Sequence, residues 1–265
     1  YDMGAGNDVA NITVVNLSGT GESVGITGVT KFDLGAGDDV ARVISTGYGV
    51  KDSTVSGGAG IDVVDITSNR DAISNAKIDL GDGDDALFAK SSAGNSADLY
   101  KVNVSLGKGD DYAEVRVAIQ STLDGGEGYD ILMLRDDKST YNVEKQSDGS
   151  YKVTRPSDQF FSLTLVNFEA ITYGKSVVKT NYDAVQQDSR ARVLEARGQY
   201  RDAEAAFLKS AQLNQAVLDN LSGGRMEFGV GMGYVPDEFR AFGADGDKDC
   251  FVSVDVFKDF KKIGI

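Results

Sequence analysis

Six short segments of the sequence carry two glycines and an aspartate in the fixed pattern G-x-G-x-D. Glycine adopts positive φ readily, so glycines at alternate positions let the chain turn tightly and leave backbone carbonyl groups free. The aspartate adds a carboxylate, and Ca²⁺ in proteins is bound by such carboxylate and carbonyl oxygens. The pattern predicts metal ligands at Gly4, Gly6, Asp8, Gly35, Gly37, Asp39, Gly58, Gly60, Asp62, Gly81, Gly83, Asp85, Gly107, Gly109, Asp111, Gly126, Gly128 and Asp130.

The repetition of this pattern predicts that the aspartates form a column. If each segment is the turn of one coil, successive turns lie about 4.8 Å apart, the spacing of neighbouring β-strands. Two carboxylates at about 5 Å, with an effective dielectric constant near 20, repel each other by about 3 kcal/mol. Such a stack would resist folding until divalent cations neutralise it. Ca²⁺ tolerates flexible mixtures of carboxylate and carbonyl ligands better than Mg²⁺ does, so we expect several calcium ions as cofactors.

Short apolar strands flank the segments, for example residues 31–34 and 40–43 around the second one. Segment starts are separated by 31, 23, 23, 26 and 19 residues. We therefore expect each coil to have one motif turn and one longer polar turn, such as residues 18–23 or 91–98, with calcium along one edge only. Six turns enclose at most five sites between them. The alternative is a set of Gly-Asp hairpin turns in an antiparallel sandwich.

The six segments resemble the nonapeptide G-G-x-G-x-D-x-U-x of the RTX (repeats-in-toxin, hemolysin-type calcium-binding) secreted bacterial proteins. The resemblance covers residues 1–135, although these repeats do not follow one another directly as they do in tandem RTX blocks. It implies a mainly β fold, namely a parallel β-roll (β-solenoid) with irregular long coils. It also implies type I secretion, and therefore an extracellular or cell-surface location.

Residues 136–174 are expected to form a β cap on this roll. Residues 141–145 and 151–155 alternate in polarity across the turn sequence of residues 147–150, which predicts a hairpin. The apolar segment 161–171 follows. The ending resembles the non-repeating cap of many RTX blocks, and the open end of a solenoid needs such a cover. We assign it a structural role.

Residues 175–222 are predicted to form a helical hairpin that Gly198 interrupts. Ala203, Phe207, Ala211 and Leu218 recur at helical spacing. Residues 183–220 weakly resemble a tetratricopeptide repeat, but one unit has no neighbours with which to form the binding groove of a repeat array. A two-helix packing element is the favoured interpretation.

Residues 223–265 begin with a Gly-rich connector that lacks the spacing of a nucleotide-binding loop. Residues 245–256 then resemble an EF-hand loop, with Asp245, Asp247 and Asp249 as predicted metal ligands. The loop departs from the EF-hand pattern at two positions: Cys250 replaces the glycine of the sharp turn, and Val256 replaces the bidentate glutamate. Both a weakened calcium site and a metal-free acidic turn therefore stay open.

Composition narrows the possible functions. The chain has 41 acidic and 27 basic residues, a net charge of −14, which disfavours nucleic acid as a partner. It contains no His and one Cys, which removes His-dependent nucleophiles and an internal disulfide. No apolar run is long enough to span a membrane. Because the sequence begins with Tyr1 inside a repeat, we interpret it as a piece of a longer protein.

We therefore predict a calcium-binding structural segment of an extracellular protein, with no catalytic residue and no organic cofactor, that serves surface-layer assembly or adhesion. Its partners would be calcium and, at the cell surface, other copies, surface proteins or polysaccharide. The alternative is the folding and export module of a secreted RTX hydrolase whose catalytic domain lies upstream. The sequence upstream of Tyr1 would distinguish these two hypotheses.

Overall fold

The computed structural model describes residues 1–15, 23–28, 31–94, 96–174 and 182–220. The chain divides into two compact units, Tyr1–Lys175 and Ser176–Ile265. The first unit is built from parallel strands and the described part of the second from two helices.

The first unit is a parallel β-solenoid whose coils contribute strands to three sheets. Strands that enter the motif turns form the entry sheet: β3 (Lys31–Ala36), β6 (Thr54–Ala59), β9 (Lys77–Asp82), β12 (Asn103–Lys108) and β15 (Ser121–Glu127). Strands that leave them form the exit sheet, together with one strand of the cap, β20 (Ala170–Tyr173): β1 (Val9–Val14), β4 (Val40–Ser45), β7 (Val63–Ser68), β10 (Ala86–Ser91), β13 (Tyr112–Val115) and β16 (Ile131–Leu134). Two-to-four-residue strands form the third sheet: β2 (Val24–Thr27), β5 (Tyr48–Lys51), β8 (Ile73–Ser74), β11 (Leu99–Tyr100) and β14 (Ala118–Ile119).

Every coil repeats the register of the coil before it. In the entry sheet Gly35 pairs with Gly58, and Gly58 with Gly81. In the exit sheet Val40 pairs with Val63, and Val63 with Ala86. All of these pairs are parallel, so the predicted β-solenoid is confirmed and the antiparallel hairpin alternative is wrong.

The third sheet refines the expectation of one motif turn and one polar turn per coil. Between the exit strand and the next entry strand, each coil has a short strand in addition to polar residues, and these strands place buried side chains such as Ile73, Leu99 and Ala118 in the core. Each of these strands is followed by one residue in the left-handed region, for example Asn75 with φ 48° and Gln120 with φ 49°. The apolar residues of these short strands let the long coils enclose a core on three sides, because each strand presents alternate side chains inward.

The core of the solenoid is a stack of aliphatic side chains from successive coils. Leu34, Leu80 and Leu106 occupy the same motif position in three coils, and all are fully buried. Burying one such side chain contributes roughly 1.5–3 kcal/mol relative to leaving it exposed. The stack holds the turns that follow these leucines in register.

The predicted cap hairpin is present at the end of the entry sheet. β17 (Asn142–Lys145) pairs antiparallel with β18 (Tyr151–Arg155), which pairs antiparallel with β19 (Asp158–Val166). A 3-10 turn, Lys138–Thr140, precedes the hairpin. β19 returns to the solenoid and pairs in parallel with β15, and β20 then pairs with β16. The cap therefore adds one further, partial coil.

The described part of the second unit contains α1 (Tyr182–Ala196) and α2 (Tyr200–Asn220), as the sequence predicts. Gly198, at φ 76°, lies in the break between them. Ala203 and Phe207 of α2 pack with Ala191 of α1, and Ser210 Oγ donates to the Ala184 carbonyl. Ala211 is also buried, whereas the Leu218 side chain and residues 223–265 lie outside the described part.

Candidate metal centre

From the second motif onward, two glycines of each motif stack directly on the equivalent glycines of the preceding coil. Gly58 has φ 122° and Gly60 has φ 125°, conformations that L side chains rarely adopt. A Cβ on Gly58 would lie 1.7 Å from the Gly35 carbonyl oxygen, and one on Gly60 2.1 Å from that of Gly37. Glycine is therefore required here both by φ and by the close approach of neighbouring coils.

The motif aspartates form the predicted column, joined by hydrogen bonds between coils. In each step, Oδ1 of one aspartate accepts from the backbone N–H of the motif aspartate in the preceding coil. The donor–acceptor pairs are Asp8 to Asp39 (2.7 Å), Asp39 to Asp62 (3.0 Å), Asp62 to Asp85 (2.8 Å), Asp85 to Asp111 (2.8 Å) and Asp111 to Asp130 (3.0 Å). The column thus runs through all six motif turns, including the first.

The second carboxylate oxygen has a different environment. Among the described residues, Oδ2 of each column member is buried without a hydrogen-bond partner: Asp8, Asp39, Asp62, Asp85, Asp111 and Asp130. All but Asp8 are at most 1% exposed. A buried carboxylate is costly unless a counter-charge or donor compensates it. A cation bound to Oδ2 would therefore compensate the buried charge at each position of the column.

Burial shifts the pKa of these carboxyl groups upward. Desolvation is the main cause, and the charges of neighbouring aspartates add to it. The pKa is raised to about 7 for Asp62, about 9 for Asp85, about 8 for Asp111 and about 7 for Asp130, and it is also raised for Asp39. Without a cation the central column members are protonated at neutral pH, so a bound divalent cation would have to displace those protons.

Backbone oxygens of the following coil lie close to Oδ2. A Cβ on Gly57 would be 2.5 Å from Asp62 Oδ2 and 2.2 Å from the Leu80 carbonyl oxygen, so both oxygens lie near the same point at the corner. Among the described residues, no group of three or more His, Cys, Asp and Glu side chains forms a metal site. A cation between coils would therefore combine carboxylate and carbonyl oxygens, a ligand set typical of Ca²⁺.

A second, outer row of side chains also links the motif turns, and sequence reasoning missed it. Oδ1 of Asn7 accepts from the Asp38 N–H, and Oδ1 of Asp38 accepts from the Ile61 N–H, both at 2.9 Å. Asp84 and Asp110 repeat the arrangement further along. The outer side chains accept from the following coil and the column aspartates from the preceding one, so the two rows link neighbouring turns in opposite directions. The outer row is interrupted at Ile61, which has no side-chain acceptor. The Asn-Asp and Asp-Asp doublets were the signal in the sequence.

The ladder does not end with the sixth motif. The Asp130 N–H donates to Oε2 of Glu169 at 2.7 Å. Glu169 directly precedes β20, just as Asp130 directly precedes β16. It belongs to the cap and not to a G-x-G-x-D segment, so the sequence pattern did not identify it.

Asp98 is another fully buried carboxylate, located between β10 and the third sheet. Its Oδ1 accepts from the Ser91 N–H at 2.7 Å. Its Oδ2 accepts from the Val117 N–H at 3.0 Å and from Arg135 Nη2 at 2.6 Å. Arg135 is itself buried, and its Nε lies 3.6 Å from Glu114 Oε1. This carboxylate has a counter-charge within the chain.

The predicted ligands of the EF-hand-like loop, Asp245, Asp247 and Asp249, lie outside the described residues. Neither described helix is long and apolar enough to cross a lipid bilayer.

Comparison with known proteins gives no match of any kind. No family model matches the chain. No curated protein and no solved structure matches it either. The repeats, the solenoid and the geometry of the column are therefore the basis for any functional assignment.

Proposed function

We propose that residues 1–174 are a calcium-binding solenoid of the RTX type, and that calcium binding drives its folding. The observation that carries this proposal is the repeated buried Oδ2 without a hydrogen-bond partner. In each of five steps between coils, the backbone N–H of one motif aspartate donates to the carboxylate of the motif aspartate in the next coil. One ion per step would give five ions.

Each ion would take its ligands from two successive coils. In the step between Asp62 and Asp85, Asp62 Oδ2, the Leu80 carbonyl and the Asp85 carboxylate are the candidate ligands. Because these groups converge only when the coils stack, calcium binds the native state and not the unfolded chain, so binding stabilises the fold. The proposal makes the chain a non-enzymatic structural segment.

The biological role proposed with it is that of a type I-secreted protein in surface assembly or adhesion. Calcium linkage would keep the chain unfolded where calcium is scarce and fold it outside the cell, where calcium is abundant. The resemblance of the six segments to RTX repeats supports this location, and the absence of His among the 265 residues supports a non-catalytic role for this segment.

A calcium titration followed by far-UV circular dichroism tests the proposal, with light scattering recorded on the same sample. We expect a disordered, calcium-depleted chain at pH 8 to become β-rich on addition of calcium but not of magnesium. Scattering that rises with the β signal would support surface assembly. A β-rich spectrum that does not respond to calcium would contradict calcium-driven folding.

A further inference from the structure

Glu169 occupies the place that a motif aspartate occupies in every earlier coil. Asp124 pairs with Val166, and Ile131 pairs with Ala170, so the cap follows the last motif coil in register on both sides of the corner. Residues 125–130 connect the pair in the motif coil, whereas residues 167–169 alone connect it in the cap. The cap therefore turns this corner without a G-x-G loop.

The longer glutamate side chain compensates for the shorter corner. It has one more methylene group than aspartate, and its Oε2 reaches the Asp130 N–H at 2.7 Å, within the range of the five aspartate steps. Glu169 is exposed, so one side of this position is open to solvent. A cation could enter and leave here.

The oxygens around Asp130 repeat the arrangement found inside the column. A Cβ on Gly125 would be 2.4 Å from Asp130 Oδ2 and 2.2 Å from the Asn167 carbonyl oxygen. The corresponding distances at Gly57 are 2.5 Å to Asp62 Oδ2 and 2.2 Å to the Leu80 carbonyl oxygen. Asp130 Oδ2 is buried and without a partner among the described residues, as Asp62 Oδ2 is. The cap thus supplies a carbonyl oxygen and a carboxylate in the same relation as a motif coil does.

We infer that the cap completes a sixth divalent-cation site, with Asp130, the Asn167 carbonyl and Glu169 as its ligands. This inference rests on the proposed function of the column and extends it beyond the six motifs. The last coil and the cap would then share an ion. Cap docking, like coil stacking, would depend on calcium.

The test compares bound calcium per chain, measured by equilibrium dialysis against calcium chloride and metal analysis, in four proteins that each span all 265 residues. Glu169→Gln should lose one ion relative to wild type, and Glu127→Gln should lose none, because Glu127 is an exposed residue of the same region. Asp85→Asn, in the middle of the column, should lose at least one. Any ion in the EF-hand-like loop is common to all four and cancels in the differences.

The outcomes separate the two claims. If Asp85→Asn loses calcium and Glu169→Gln does not, the sixth site is wrong and the column stands. If wild type and Asp85→Asn bind the same amount, the column itself is wrong. Glutamine can still accept the Asp130 N–H, so Glu169→Gln is expected to fold. If Glu169→Gln fails to fold, amide hydrogen exchange of the wild-type protein decides. The inference requires that the β20 amides become protected at the same calcium concentration as the β16 amides. Protection of the β20 amides without calcium would overturn it.

Discussion

The motif column and the Asp98 site both contain buried carboxylates in the same solenoid, but the charge of these carboxylates is compensated differently. Both bury carboxylates almost completely. Asp98 receives backbone N–H groups and the guanidinium of Arg135, a residue 37 positions away in sequence. Each column aspartate after Asp8 receives one backbone N–H on Oδ1, and none of the column aspartates has a hydrogen-bond partner on Oδ2 among the described residues.

The difference lies in the source of the counter-charge. At Asp98 the chain supplies a permanent cation, so the site is complete whenever the chain folds. In the column the nearest charges are other carboxylates, and these raise the pKa further. A solenoid containing both arrangements has one part whose charge balance is internal and another whose charge balance depends on protons or an added cation.

The largest expected effect is a pH dependence of the free energy of unfolding in calcium-depleted protein, caused by the column. The column carboxyl groups have folded-state pKa values of about 7 to 9, above the unfolded value near 3.9. Their contribution to stability is therefore fully present below about pH 4, declines as pH rises above the unfolded value, and is completely lost above about pH 7 to 9. Between its unfolded and its folded-state pKa, each group lowers the free energy of unfolding by up to about 1.4 kcal/mol per pH unit.

Far-UV circular dichroism and urea unfolding of resin-treated, calcium-free protein at pH 5 and pH 8 measure this effect. Without calcium we expect a folded chain with a urea transition at pH 5 and a chain that is already disordered at pH 8. Saturating calcium should give the opposite order of stability, because calcium competes with protons for the same oxygens. Equal stability at the two pH values without calcium would mean that the column carboxyl groups are not desolvated.

The next largest effect is expected from Arg135→Met, which removes the internal counter-charge. Leaving a buried carboxylate without its partner costs about 3–5 kcal/mol. The loss should be similar with and without calcium, because no added cation is expected at Asp98. Urea unfolding at pH 5, where the calcium-free chain is expected to be folded, measures the loss with and without calcium, with Lys90→Met as the exposed control. The double variant Arg135→Met/Asp98→Asn should recover part of the loss; a loss that calcium rescues would instead make Asp98 a metal ligand.

The effect of Asp85→Asn on the free energy of unfolding should depend on calcium. In calcium it removes a proposed ligand and should lower the free energy of unfolding by about 1–3 kcal/mol. In depleted protein at pH 5, where the chain is expected to be folded, it replaces a buried protonated acid, whose pKa is about 9, by a neutral group of the same shape, and stability should not fall. Asp79→Asn, an exposed ion-pair partner of Lys77, should change stability by less than about 1 kcal/mol in both conditions. Equal losses in both conditions would argue against a cation at Asp85.

The smallest effect is expected at the corner between the third sheet and the entry sheet, at Gln120. This exposed residue has φ 49°, a conformation that costs a non-glycine residue roughly 1–2 kcal/mol. Gln120→Gly should raise the free energy of unfolding by up to about 1 kcal/mol, seen as a slightly higher melting temperature, and Gln120→Val should lower both. Both shifts should be independent of calcium. A calcium-dependent shift would show that the motif column influences this corner too.

The sequence alone determined the repeating coil, because its signals are local. Gly at two alternate positions before Asp specifies a tight turn whatever surrounds it, and Gly198 separates two helical patterns in the same way. The entry and exit strands, the order of the column and the cap hairpin could all be predicted from such patterns. The parallel pairing followed from the resemblance to RTX repeats, since the turns themselves are also compatible with hairpins.

The tertiary structure decided which groups meet across coils. Glu169 lies 39 residues from Asp130, and no motif marks it; the register of β20 against β16 places it next in the ladder. The stacking of coils also brings Arg135 to Asp98. The third sheet exists because short strands of different coils pair with one another. Stacking also buries Oδ2 of the aspartates, so their raised pKa values belong to the folded state. A local pattern fixes the shape of a turn, but burial and charge pairing depend on neighbours that only folding brings together.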